Sequence, residues 1–78
     1  MDGWIFSVTT KPLTDGAPLV EYYAVHVADR AEAEELLRSA LGILDEKVQA
    51  EIPKTAQWMK FMGVPAGNIR TFPVMPRG

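Results

Sequence analysis

The chain has 78 residues, 47% of them apolar and 23% charged, with a formal net charge of −2. It has no cysteine and a single histidine, His26. These counts exclude disulfide staples, a thiolate nucleophile, thiolate metal sites and a multi-histidine metal centre within one chain. The longest stretch free of charge, Phe61 to Ile69, spans nine residues, against the about 20 apolar residues a membrane helix needs. No basic start is followed by an apolar run, so the expected location is the cytoplasm, with no membrane partner.

A chain this short supports roughly 4–12 kcal/mol of stability at best. Domains of this size often supplement a thin core with disulfides, a metal or oligomerisation. With the first excluded and the second unsupported, self-association as a homodimer becomes the favoured expectation. Charge is also uneven along the chain. All ten acids lie in residues 1–52, while residues 53–78 carry Lys54, Lys60, Arg70 and Arg77 and no acid. No two of these bases are adjacent, so the plain reading is scattered solvated charge.

Trp4 to Thr10 alternates with period two and is rich in aromatic and β-branched residues, which predicts a strand. Lys11 to Pro18 holds two prolines and Asp15-Gly16 and predicts a turn-rich loop. Leu19 to Val27 predicts a second strand, antiparallel to the first. Trp4, Phe6, Val8, Tyr23, Val25 and Val27 would share one face of this hairpin.

A helix is predicted over 29–41. Asp29 is a suitable N-cap with Glu32 three residues on, and Ala33, Leu36, Leu37, Ala40 and Leu41 form an apolar stripe. Glu34 precedes Arg38 by four residues, a favourable pair. Gly42 then provides a left-handed stop, with Ile43 folding back on Leu37. Residues 43–52 suit either a strand, through Val48, Ala50 and Ile52, or a helix, through Leu44, Val48 and Ile52. The strand is favoured because Gly42 and Pro53 bound a short segment.

Lys54 to Met62 again has a helical pattern, with Trp58, Met59, Phe61 and Met62 on one arc of about 160°. Gly63 and Pro65 end it. Ile69 to Phe72 can add a short last strand, which Pro73 stops. The expected fold is α+β: a small antiparallel sheet, ββαβα with a possible final strand, and two helices on one face. Its strand order would be 2-1-3. Its core would contain Trp4, Phe6, Val8, Tyr23, Val25, Val27, Leu36, Leu37, Leu41, Val48, Ile52, Trp58 and Met62. Residues 1–72 would form one domain, and 73–78 a flexible tail.

The sheet face left open by such an arrangement would carry Ile5, Ser7, Thr9, Val20, Tyr22, Ala24 and His26. It would also carry Lys47, Gln49 and Glu51. It is more apolar near the hairpin than a fully wet face requires, which makes Ile5, Ser7, Val20, Tyr22 and His26 the candidate partner- or ligand-binding residues. His26 with Tyr22 is the acid/base pair of a small-molecule reading, since histidine is the residue type that changes charge nearest neutrality. Ser7 lacks the Gly-x-Ser-x-Gly elbow of a hydrolase nucleophile. No phosphate-binding glycine loop occurs either, because Gly63 to Gly67 lacks the lysine. No catalytic residue, metal site or cofactor is therefore assigned.

Lys54, Lys60 and Arg70, interspersed with Trp58, Phe61 and Phe72, form an alternative anion-binding set. A sequence pI of about 5.2, and the expected burial of Trp58 and Phe61, count against nucleic acid. The same aromatic and methionine cluster is, alternatively, a partner-binding groove. The leading expectation is a non-enzymatic domain that self-associates or binds another protein.

Overall fold

The structure is a computed structural model that describes residues 2–10, 16–43 and 47–76. The elements run β1 (Gly3–Thr10), β2 (Leu19–Val25), α1 (Arg30–Leu41), β3 (Lys47–Lys54), α2 (Ala56–Phe61) and β4 (Ile69–Phe72). One antiparallel sheet orders them β3-β1-β2-β4. The α+β class, the element order and the central 2-1-3 arrangement agree with expectation, and the short last strand is present. Most of the turn expected over Lys11 to Pro18 lies outside the described residues, as do Leu44 to Glu46.

The first helix forms as its sequence dictates. The Asp29 carboxylate accepts the Glu32 backbone N–H at 2.9 Å, satisfying a donor that the first helical turn leaves unpaired. At the other end Ile43 N–H donates to Arg38 O at 3.1 Å and Gly42 N–H to Ser39 O at 3.3 Å, a Schellman ending. The same motif closes α2. Val64 N–H donates to Met59 O at 2.8 Å and Gly63 N–H to Lys60 O at 3.1 Å. Gly63 takes the left-handed φ of 75° that this turn demands.

Between these helices, residues 47–54 form a strand and not a helix. Pro53 was expected to bound it, yet the strand continues to Lys54, with Trp4 opposite Pro53. This is tolerated because β3 is an edge strand, where a missing N–H breaks no ladder bond. Between Ile5 and Phe6 the register shifts, so that Ile52 and Ala50 are their partners and Glu51 is the extra residue of a bulge.

The helices lie on opposite faces of the sheet, which corrects the expectation that both share one. Phe6, Val8, Tyr23 and Val25 pack with Ala33 and Leu37 of α1. Ile5, Ala24 and Phe72 pack with Met59 of α2 and Val64 beyond it. Since neighbouring strand residues point to opposite sides, Ile5 and Phe6 belong to two different cores. The first core contains most of the residues assigned to it, but Leu41 and Ile52 are exposed. Met75 packs against the second core and Pro76 is buried, while Pro73 and Val74 are exposed. Arg77 and Gly78 are outside the described residues.

Candidate functional site

The expected open face is therefore divided. Its lower half, around Gly3, Ile5 and Ala24, is roofed by Met59 and Val64, and Ile5 and Ala24 are fully buried. Ile5 is thus unavailable to a partner. The upper half retains Ser7, Thr9, Val20 and the flanking β3 residues. Ser7 Oγ donates to Glu51 Oε2 at 3.1 Å, a bond that ties the bulge to β1. Val20 is 39% exposed, whereas Tyr22 is half-buried against the second core opposite Phe72.

Tyr22 lies within β2 and His26 just beyond its end. They are four residues apart along an extended chain, about 13 Å between Cα atoms at strand rise, with buried Ala24 between them.

His26 is fixed at the end of β2. Its backbone N–H donates to Asn68 O at 3.0 Å, and its carbonyl accepts from Gly67 N–H at 2.9 Å. Its ring Nδ1 lies 2.8 Å from Val64 O. A carbonyl oxygen only accepts, so Nδ1 carries the hydrogen and, in the neutral ring, Nε2 holds the lone pair. A cleft of about 430 Å³ opens beside it, lined by His26, Ala56, Lys60, Gly63, Val64, Pro65 and Ala66.

Two of the three bases of the alternative set stack on aromatic rings. Lys54 Nζ sits 4.8 Å from the centre of the Trp58 ring. The Arg70 guanidinium lies 5.2 Å from that of Phe72 and donates to Met62 O. Both cations rest on aromatic faces, and Lys60 is among the residues that line the His26 cleft.

Phe61 overturns the expected core arc. It is 86% exposed and lines a shallow cleft of about 300 Å³ with Thr55, Gln57 and Trp58. At about 100° per residue, Met59 and Phe61 stand some 160° apart around the helix axis. Met59 is the residue directed at the sheet, which leaves Trp58 and Met62 at the flank and Phe61 outside. Trp58 is half-buried, tilted at 48° to Phe72 with ring centres 6.5 Å apart. Its indole N–H is buried without a hydrogen-bond partner among the described residues, which carries a penalty of about 1–3 kcal/mol.

A larger groove, of about 470 Å³, runs along the outer side of α1 beside Glu34, Glu35 and Arg38. There Arg38 Nε meets Glu34 Oε2 at 3.2 Å, the helical pair expected from their spacing. Partial exposure holds it to about 0.3–0.5 kcal/mol. Among the described residues no three His, Asp or Glu side chains group to hold a metal. No described helix is long and apolar enough to cross a membrane.

Among the described residues, Tyr23 is an ionisable group perturbed inside the first core. Burial, and then the Glu21 carboxylate beside it, raise the Tyr23 hydroxyl above its ordinary value of 10.0, while Thr71 opposes them. The folded state therefore holds this proton more tightly than the unfolded chain. Its contribution to stability is complete below a pH of about 10 and is lost as pH rises through the higher folded value. Urea midpoints measured across the alkaline range should fall, and Tyr23→Phe should flatten that fall.

Comparison with protein-family models, curated proteins and solved structures finds no match.

Proposed function

We propose that the protein is a non-enzymatic interaction domain whose α2 face docks an acidic partner segment bearing an apolar anchor. The observation that carries this reading is Phe61, 86% exposed beside the half-buried Trp58. A phenylalanine left in water on a six-residue helix contributes nothing to the core. Large aromatic side chains in such positions are the usual anchors of protein interfaces.

Charge specifies the partner. The segment that presents Phe61 contains Lys54, Lys60 and Arg70 and no acid. The Asp2 carboxylate lies at its border, where it accepts Ala56 N–H at 3.0 Å. A second copy docked face to face through α2 would oppose Lys54 and Lys60 to their own counterparts. Pairing through sheet edges is disfavoured as well. β3 carries Lys47, Glu51 on a bulge, Pro53 and Lys54, and β4 is four residues long and is followed by Pro73. Short edges, bulges, charge and proline all obstruct strand addition. Homodimerisation is accordingly the weaker form of the interaction reading.

Selection of a random peptide library on the whole chain tests it. Acidic sequences with an aromatic or leucine anchor should be enriched, and Phe61→Ser should abolish the enrichment while changing stability by no more than about 0.5 kcal/mol. Light scattering should give a monomer mass. Enrichment that is indifferent to Phe61→Ser, or of basic sequences, would overturn the proposal. A dimer dispersed by Phe61→Ser would transfer the face to self-association. Binding of a single-stranded oligonucleotide at low salt would transfer it to nucleic acid.

A further inference from the structure

The geometry points to a second site, on the other side of α2: the cleft between His26 and Lys60 binds a small organic carboxylate with a short apolar body. Ala56 and Lys60 are four residues apart and share a flank of the helix, about 100° to 160° around the axis from Trp58 and Phe61. The two clefts have no lining residue in common, so this inference does not rest on the Phe61 reading.

The lining determines the ligand class. Ala56, Val64, Pro65 and Ala66 supply an apolar wall, and among the lining side chains only His26 and Lys60 carry polar groups. Both heads are nitrogen donors when protonated, and neither faces a described carboxylate within ion-pair distance. The Asp2 carboxylate beside Ala56 is engaged with the Ala56 N–H. An apolar hollow with the Lys60 ammonium and the His26 ring at its rim is complementary to an anionic head on a hydrocarbon stem. A bare inorganic anion leaves the wall unused, and a neutral amide leaves the two donors without a charged acceptor.

The site is also preorganised. His26 is held by its backbone N–H, its carbonyl and its Nδ1–H, on Asn68, Gly67 and Val64 respectively. With Nδ1 committed, Nε2 is the ring atom left to meet a ligand, and the imidazolium form presents an N–H there. The wall residue Val64 is fixed in turn by its own N–H on Met59 O and by burial in the second core. Ligand binding therefore orders little beyond the Lys60 side chain. Neither Ser, Thr, Asp nor Glu lines the cleft, so the arrangement supports binding and not hydrolysis.

The test follows the His26 ring and Lys60 ε-methylene resonances of the whole chain by NMR during titration with butyrate. A dissociation constant on the order of 1 mM suits two charge-assisted contacts in an open cleft. Saturable shifts of both residues are expected, with butyramide and inorganic phosphate producing none. Lys60→Gln, an exposed substitution that should leave the spectrum folded, should weaken butyrate binding about tenfold, the loss of one such contact. Phe61→Ser should leave it unchanged, which separates this site from the α2 docking face. A short peptide ending in valine, compared with its C-terminal amide, distinguishes a chain terminus from a free acid as the carboxylate source. Shifts that do not saturate, equal binding of butyramide or phosphate, or indifference to Lys60→Gln would each overturn the assignment.

Discussion

Replacing Met59 by alanine should destabilise the chain by about 2–5 kcal/mol, as much as replacing Leu37. Both side chains are fully buried, one on each side of the sheet. Against a total stability of roughly 4–12 kcal/mol, either change brings the domain near its limit. The equality of the two effects is the informative part. A sheet covered on one face would lose its fold with Leu37→Ala and tolerate Met59→Ala within about 0.5 kcal/mol, as an exposed site does. Urea unfolding of both variants measures the difference. Because the two residues belong to separate clusters, their effects should add within about 0.5 kcal/mol in a double variant that still folds.

That two-sided core alters the argument from size. Seventy-eight residues without cysteine suggested a thin one-sided core in need of a partner. The second layer, contributed by α2, Val64 and Met75, instead buries part of the surface that a dimer would have covered. On the proposed docking reading, what remains for a partner is smaller: Phe61 on the outer side of α2.

The signals for this arrangement differ in how far a single sequence exposes them. α1 is legible to within a residue, because the Asp29 cap, the apolar stripe and Gly42 are all local. The hairpin is legible for the same reason, since alternation sets both strands and their faces. The covering of both faces is legible only in part. Ile5, Tyr22 and Ala24 are apolar at positions that a one-sided antiparallel sheet would make polar, yet the alternation does not say whether helix, partner or water meets them. The orientation of α2 is harder still. Four large apolar residues span an arc too wide for six helical residues to bury, and which end of the arc faces inward is decided by the chain's exit from β3 and its Schellman return at Gly63. The pairing of His26 with Lys60 is not encoded locally at all. It arises because α2 and the 63–68 loop fold back across the end of β2, bringing together residues that separate functional readings had claimed.

Gly3→Ala should destabilise the protein by about 1–3 kcal/mol. Gly3 does not occupy a left-handed conformation; space is what demands glycine. A Cβ there would strike the Met59 methyl, lie 2.7 Å from Val25 O and lie 3.3 Å from His26 Cα. Met59 is a flexible side chain and can withdraw its end. Val25 O cannot, because β1 and β2 are paired there with Trp4 opposite Val25. The clash therefore has a soft part and a rigid part, and a double-mutant cycle separates them. In a Met59→Ala background the Gly3 substitution should cost less but remain destabilising, the remainder being displacement of β2 against β1. The same displacement reaches function. Moving Val25 and His26 relative to α2 disturbs the Nδ1–H bond to Val64 O, so the His26 ring resonances should shift and butyrate affinity should fall in folded Gly3→Ala protein. A Gly3→Ala variant of unchanged stability, or one whose Met59→Ala background removes the whole cost, would mean that the strand backbones are freer to move apart than their register implies.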